Sequence, residues 1–554
     1  MMKIKLLAGV ISFTLAGCVT TTGEQTAEAI LDNSDSVSQV KQIDNGNDAK
    51  VSSKSLPVAK KLIESEKKFA VAKVVKPSDN QLMVNNSLIT LEQIMADPDW
   101  MGRAPESWYW GDDSQTVFYK QKQLGNPLRD LYVKSINGTG NGEKVKLAEM
   151  HIAADRFSQI NNDKTHEVYI FEGNVFVKNI TTKNVQQLTY TSAVERSVLF
   201  LNNGNVGYRV ADKFFEHNLT NNSIIELANL KMQKDPAEST SEPSYIAVEQ
   251  KELIQYIALQ QRNKSLKEDQ KEKLKAQNST LTQSDFYFGK GKRVNNASLS
   301  PNGDKMIVSI SDSKSIHADS DIMPNYIADN GHVKAEQVRH RVADNRQYSQ
   351  ELYLLDLKTG QKFPLSFDTL PGFDEDVLAS VKTENYQREG KTYEPKKTPR
   401  NIHVMRTYQA IQWHEDGSKV ALFLEAWDNK DRWLATVNLL ENKLVNQHRL
   451  HDDAWINYTF NEFGWMNDSL YYLSEESGYS HLYTKSLKGK AKKLTNGSFE
   501  VSNVTLMADN NRFIFKANKK HPGIYEIYQV DAQTTKLTAL SDLGGMNNYS
   551  LSPD

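Results

Sequence analysis

The sequence predicts an all-β chain folded as a β-propeller of seven or eight blades. Three observations point there: a recurring pair of hairpins, turns of the Asn-Gly and Asp-Gly kind between apolar runs, and an abundance of Tyr (23) and Phe (20). Aromatic residues suit strands better than helices. Asn-Gly or Asp-Gly between apolar runs is a strong hairpin signal, because both central positions must accept positive φ.

The first hairpin is an apolar approach, a polar turn and an apolar strand. It occurs at Trp110-Gly111-Asp112-Asp113 before Val117, at Asn161-Asn162-Asp163 before Val168, and at Leu201-Asn202-Asn203-Gly204 before Val206. It returns at Leu299-Ser300-Pro301-Asn302-Gly303, Trp413-His414-Glu415-Asp416-Gly417, Trp465-Met466-Asn467-Asp468 and Met507-Ala508-Asp509-Asn510. An eighth copy opens at Leu551-Ser552-Pro553-Asp554, so the chain reads as the front part of a longer protein. The second hairpin starts at Leu131, Val175, Phe214, Leu352, Leu434, Leu482 and Ile527, and several copies finish with Leu-Thr, as at Leu494-Thr495. Two hairpins give four strands in roughly 40–50 residues, the size of one blade. A single such sheet cannot cover both of its faces, whereas stacking around an axis lets each blade cover its neighbours. A β-sandwich has no need of the same pair of hairpins over and over.

Two gaps exceed one blade. The insertion at 244–280 reads as a helix over 246–278: Pro243 precedes it, and Leu253, Ile254, Ile257 and Ala258 share a face. Its stretch 264–275 is nearly all charged and reads as a solvated face. Residues 368–400, rich in Pro, Lys and Glu, read as a loop insertion on one rim.

The N-terminus carries a different signal. Lys3 and Lys5 precede an apolar stretch that closes at Leu15-Ala16-Gly17-Cys18. This is a secretory signal, too short to span a membrane as a stable helix. It resembles the bacterial lipobox, which implies cleavage before Cys18 and a diacylglycerol on its thiol. Val19 follows where an Asp would favour inner-membrane retention, so the resemblance implies the outer membrane, with the protein facing the periplasm. Acyl chains contribute about 0.8 kcal/mol per buried methylene and hold a protein on a membrane without a spanning helix. The expected organisation is a signal peptide at 1–17, Cys18 and a disordered tether over 18–80, and the propeller over 81–554. Residues 19–68 contain no aromatic side chain and are dominated by polar ones, too little apolar surface to offset the entropy of ordering.

Bulk composition narrows the function classes. With 39% hydrophobic and 25% charged residues, apolar material for a core is ample. A net charge of −2 gives no electrostatic reason to expect nucleic acid. Cys18 is the single cysteine, which rules out intrachain disulfides and cysteine-based metal sites. His448-Arg449-Leu450-His451-Asp452-Asp453 has metal-ligand residue types but no third ligand group beside it, and reads as a surface turn. Arg339, His340, Arg341 and Arg346 could line an anionic site, with a solvated loop as the plainer reading. No cofactor is implied.

The segment Leu91-Glu92-Gln93-Ile94-Met95-Ala96-Asp97-Pro98-Asp99-Trp100, with Arg103-Ala104-Pro105-Glu106-Ser107 after it, resembles the opening of bacterial prolyl oligopeptidase/dipeptidyl peptidase IV family enzymes. Glu475-Glu476-Ser477-Gly478-Tyr479-Ser480-His481-Leu482-Tyr483 resembles a late-blade motif of their propeller. The resemblance covers about 88–554. It implies a propeller followed by an α/β-hydrolase domain with a Ser-Asp-His triad, the propeller restricting access so that short peptides reach the serine. The nucleophile of such a domain sits in a G-x-S-x-G elbow. These 554 residues hold no G-x-S-x-G, so the hydrolase domain is expected beyond them and no catalytic residue is assigned. The family also binds a substrate's N-terminal ammonium with two adjacent glutamates. The Glu-Glu pair here is Glu475-Glu476, a weak match, because its surroundings read as a solvated blade turn. The expected partners are peptide substrates, the chain's own hydrolase domain and a membrane reached through the lipid. The alternative is a stand-alone periplasmic propeller lipoprotein that binds a partner protein.

Overall fold

The computed structural model describes residues 89–553 apart from 154–156, 237–243, 279, 282–284, 315–319, 341–348 and 408. Cys18 and the expected signal and tether lie outside the described residues. Among those described, 89–106 with 120–130 form one compact unit, and 107–119 with 131–553 form another.

Seven sheets follow one another along the chain, over 106–144, 159–187, 195–231, 292–364, 402–451, 463–493 and 501–539. Each is a meander of neighbouring strands in chain order. The third sheet gains Asp285–Tyr287, which pairs in parallel with Ile224–Lys231. In the fifth, Ile402–Val404 and Ile411–Trp413 both pair with Val420–Ala426. The chain is a seven-bladed β-propeller. The first hairpin of each repeat joins neighbouring strands at the start of its sheet, and the second hairpin joins the two that follow at its other end. The eighth copy forms no strand: Leu551, Ser552 and Pro553 lie outside any sheet.

Strand alternation explains why the blades stack. Successive side chains on a strand point to opposite faces. On Lys305–Asp312, Met306 and Val308 pack with Leu201, Phe214 and Leu230 of the third blade. Ile307, between them, packs with Leu422, Leu424 and Trp433 of the fifth. The same logic joins Leu473 and Leu482 of the sixth blade to Phe513, Phe515 and Tyr528 of the seventh. Cores shared between neighbouring sheets thus join blades two to seven, and each fully buried Leu or Phe in them contributes about 1.5–3 kcal/mol.

The polar turns make a second seam. Asn202 donates from Nδ2 to Asn302 Oδ1 at 2.8 Å, and Asn302 donates from Nδ2 to the Asp416 carbonyl at 2.9 Å. Three blades are thereby linked through equivalent turns. Gly417 is required there twice over: its φ is +71°, and a Cβ would stand 2.5 Å from Asn302 Nδ2.

Four helices decorate the sheets among the described residues: α1 (Leu91–Met95), α2 (Tyr245–Leu253), α3 (Gln255–Gln277) and α4 (Ala379–Arg388). The single helix read over 246–278 is two, broken at Ile254, whose φ of −109° and ψ of 88° are not helical. The described side chains of α3 are exposed, with Lys264 and Glu268 at 3.8 Å on its surface. The 368–400 insertion is not a plain loop, since it contains α4. Lys382 pairs with Asp376 at 2.7 Å, and Tyr386 packs edge-on against Tyr393, so local tertiary contacts hold a segment with little apolar pattern.

The smaller unit carries α1. Thr90 caps it by accepting from the Gln93 N–H at 3.2 Å. Lys122 bridges Asp97 and Asp99 at 2.6 and 2.7 Å, and Asp99 also accepts from the Gly125 N–H at 2.7 Å.

Candidate functional site: an acidic lip on the fifth and sixth blades

The glutamate pair sits in the turn between Ser469–Ser474 and His481–Ser486 of the sixth blade. The turn closes with the Gly478 N–H donating to the Glu475 carbonyl at 2.8 Å, and Gly478 supplies a φ of +93°. The two carboxylates have different partners. Glu475 is half-buried, and burial pushes its pKa up against the pull of the Asn457 N–H and of Arg432. Glu476 is exposed, with Oε2 at 3.6 Å from His448 Nε2. They do not form one clamp.

Glu475 belongs to a larger group that the sequence did not reveal. Arg432, 4% exposed, donates to the carbonyl oxygens of Phe460 at 2.7 Å and Asn457 at 2.6 Å. It braces the connection between the fifth and sixth blades, which presents Trp455 and Tyr458 to solvent. Burial lowers the Arg432 pKa, opposed by Glu425 and Glu475. Glu425 is itself buried and lies 2.9 Å from His403 Nε2. Glu425, Asn429, Asp431, Arg432, Ile456 and Tyr458 line a pocket of about 10 Å³, the volume of a single water rather than of a peptide residue. Chemically this is an acidic, aromatic lip that can accept a hydrogen-bond donor, not an enclosed substrate cavity.

Beneath it lies a structural ion cluster. Asp431 is fully buried and receives Arg400 Nη1 at 2.6 Å, Arg449 Nε at 2.7 Å and His451 Nδ1 at 3.0 Å. Arg400 also reaches Asp428 at 2.7 Å, and Arg449 reaches Glu375 at 2.6 Å. Burial works against the Arg449 charge, but Glu375 and Asp431 outweigh it and hold its pKa above the usual guanidinium range. The cluster fastens the 368–400 insertion to the fifth blade.

The surface turn read at 448–453 is therefore corrected. Lys443–His451 is a strand of the fifth blade, buried enough that its alternate side chains serve two neighbourhoods. His448 lies over the Tyr472 ring and 3.1 Å from Ser474 Oγ, with its pKa driven down to about 4 by burial, Arg432 and Lys485. It is therefore neutral at pH 7, and its contact with Glu476 is not an ion pair. No group of three or more His, Cys, Asp or Glu placed to hold a metal ion occurs among the described residues. Arg339 and His340 lie on Lys334–His340, which pairs with Ser320–Asn325 in a separate two-stranded ribbon. Arg341 and Arg346 lie outside the described residues.

With this geometry in place, comparison with known proteins locates the lip. Residues 377–554 match the family model described as the dipeptidyl peptidase IV (DPP IV) N-terminal region. Blades five to seven lie within the matched residues. The stretch includes Arg432, Glu425 and both glutamates of the pair, so the lip lies wholly within the matched residues. No curated protein matches the chain. Among solved structures, Porphyromonas gingivalis dipeptidyl peptidase 4 is similar with a TM-score of 0.46 and 10% identity, over 82% of this chain and 56% of that one. A Bacteroides ovatus protein described as a putative dipeptidyl aminopeptidase IV is similar with a TM-score of 0.41 and 14% identity, over 77% of this chain and 52% of that one. The chain spans about half the length of these structures.

Proposed function

We propose that the chain is the propeller region of a serine peptidase of the DPP IV group, anchored at the cell envelope by a lipid on Cys18. The match of residues 377–554 to the DPP IV N-terminal region carries this reading. The intact protein hydrolyses short peptides: a serine activated by a histidine attacks the scissile carbonyl, and water then releases the acyl group. Those groups belong to an α/β-hydrolase domain outside the 554 residues. The propeller limits access to it, admitting narrow, extended peptides and excluding folded proteins. Glu475 and Glu476 are proposed contacts for a substrate amino group, acting singly because their carboxylates have different partners. The lipid places the protein on the outer membrane, facing the periplasm.

The test is a substrate series presented to the native protein purified from the envelope. Chromogenic dipeptide and short oligopeptide substrates are hydrolysed, while a folded protein carrying the same cleavage sequence in a surface loop is spared. Equal cleavage of both would remove the gating role, and hydrolysis of neither would remove the peptidase reading.

A further inference from the structure

Six Asn-Gly pairs occur among the described residues, at Asn137, Asn141, Asn203, Asn302, Asn330 and Asn496. The dipeptide suits turns, but asparagine is also chemically labile. With no side chain on the glycine, its backbone nitrogen can reach Cγ of the asparagine before it. That attack needs the nitrogen stripped of its proton, so a hydrogen bond donated by the glycine N–H protects the pair.

Five of the six are protected in this way. Gly138, Gly204, Gly303 and Gly331 donate to the carbonyl oxygens of Ser135, Leu201, Ser300 and Ala328 at 3.0, 2.8, 2.9 and 3.0 Å. Gly142 donates to the Tyr119 hydroxyl at 3.2 Å. Asn203 and Asn302 are held again through their own amides, on Glu216 and on the Asp416 carbonyl. Among the described residues, Asn496-Gly497 alone has neither restraint: the Gly497 N–H and the Asn496 side chain have no partner, and both residues are exposed. The glycine is also required, since its φ is +138° and a Cβ would stand 2.7 Å from the Phe499 ring.

The Gly497 carbonyl has a task of its own. His481, 1% exposed, places Nε2 3.0 Å from that oxygen and Nδ1 3.0 Å from Thr495 Oγ1. A carbonyl only accepts, so Nε2 carries the proton and Nδ1 accepts from Thr495. The Thr495 oxygen in turn accepts from the Leu482 N–H at 3.0 Å. This relay fastens the start of His481–Ser486, the strand that follows the glutamate turn. We propose that Asn496 is a site of spontaneous deamidation, and that its conversion releases the relay. The Gly497 nitrogen gives up its proton and bonds to Asn496 Cγ, whose bond to Nδ2 breaks as ammonia leaves. Water then opens the cyclic imide at either carbonyl, giving aspartate or isoaspartate. The isoaspartyl product routes the backbone through the side chain, lengthens it by a methylene and draws the Gly497 carbonyl away from His481.

Peptide mapping by mass spectrometry tests this on the full chain, aged in mildly alkaline buffer beside a sample unfolded in urea. Deamidation adds about one dalton. In the folded chain Asn496 converts about fivefold faster than each of the other five, the rate equivalent of the one hydrogen bond they must give up. In urea the six convert alike. Amide exchange at Leu482 quickens in the aged folded protein and keeps its starting rate in Asn496→Gln aged in the same way. Equal conversion of the six in the folded chain overturns the proposal, as does a lead for Asn496 that persists in urea, where only local sequence acts. Unchanged exchange at Leu482 after conversion overturns the release of the relay.

Discussion

The indole N–H of Trp110 donates to the carbonyl oxygen of Ser550 at 3.2 Å, across 440 residues of sequence. Trp110 closes the first strand of the first blade, and Ser550 follows the last strand of the seventh. Tyr549 beside it anchors to the seventh blade, its hydroxyl bonding the Ile514 carbonyl at 2.8 Å and Thr505 Oγ1 at 3.0 Å. First and last blades thus meet through the backbone of a short segment.

Trp110→Phe keeps an aromatic ring and removes the donor. The expected loss is about 1 kcal/mol, the usual net worth of one hydrogen bond, read as a lower urea midpoint with an unchanged slope. A midpoint identical to that of the unaltered protein would show that the bond does not help join the two blades.

Asp431→Asn tests the ion cluster. The side chain keeps its shape but leaves Arg400 and Arg449 facing a neutral group in a buried place. Breaking a buried pair in this way costs roughly 3–5 kcal/mol. The loss is expected to appear first as faster amide exchange in 368–400, the segment the cluster fastens. Unchanged exchange there would assign the cluster no fastening role.

Glu526 is 1% exposed, and its carboxylate accepts from the Leu543 and Gly544 N–H groups at 2.8 and 2.7 Å. Gly544 and Gly545 both have φ of +72°, and the loop they form exposes these donors to one anion. Glu526→Ala strands both donors and is expected to cost about 2–3 kcal/mol. Glu526→Gln retains an acceptor and should lose less. Equal losses in the two variants would mean that packing, not the carboxylate, holds the loop.

His448 gives stability a pH dependence of known sign. Its folded pKa of about 4 lies below the unfolded value of 6.5, so between these limits the unfolded chain binds more protons. Stability is full above pH 6.5 and falls as the pH drops towards 4, by about 3 kcal/mol at most. His448→Gln, which preserves a partner for Ser474, is expected to flatten the thermal midpoint over that window. The carboxylates contribute equally in both proteins, so the difference isolates the histidine. Parallel curves would contradict its burial as a neutral ring.

These sites divide between what local sequence reveals and what it hides. Asn203-Gly204, Asn302-Gly303 and Asp416-Gly417 announce their turns because positive φ is a local demand, and the other blades were readable from the recurring pair of hairpins. α4 was missed because its residues lack an apolar stripe and depend on Asp376, Lys382 and Tyr393. The Arg400–Asp431–Arg449 cluster was illegible for another reason. Its members are charged residues of ordinary spacing, and only blade packing makes them neighbours. The glutamate pair was visible as a motif, but the partners that part its carboxylates, Asn457 and His448, come from other elements.

The central claim, that this propeller serves a serine peptidase, is tested most directly by labelling with a fluorophosphonate probe. The native polypeptide is captured from envelope extracts with an antibody against 377–554 and analysed after exposure to the probe. The account predicts one covalent adduct on a serine outside residues 1–554, and loss of peptide hydrolysis with the same dose dependence. A captured polypeptide that takes up no probe would contradict it.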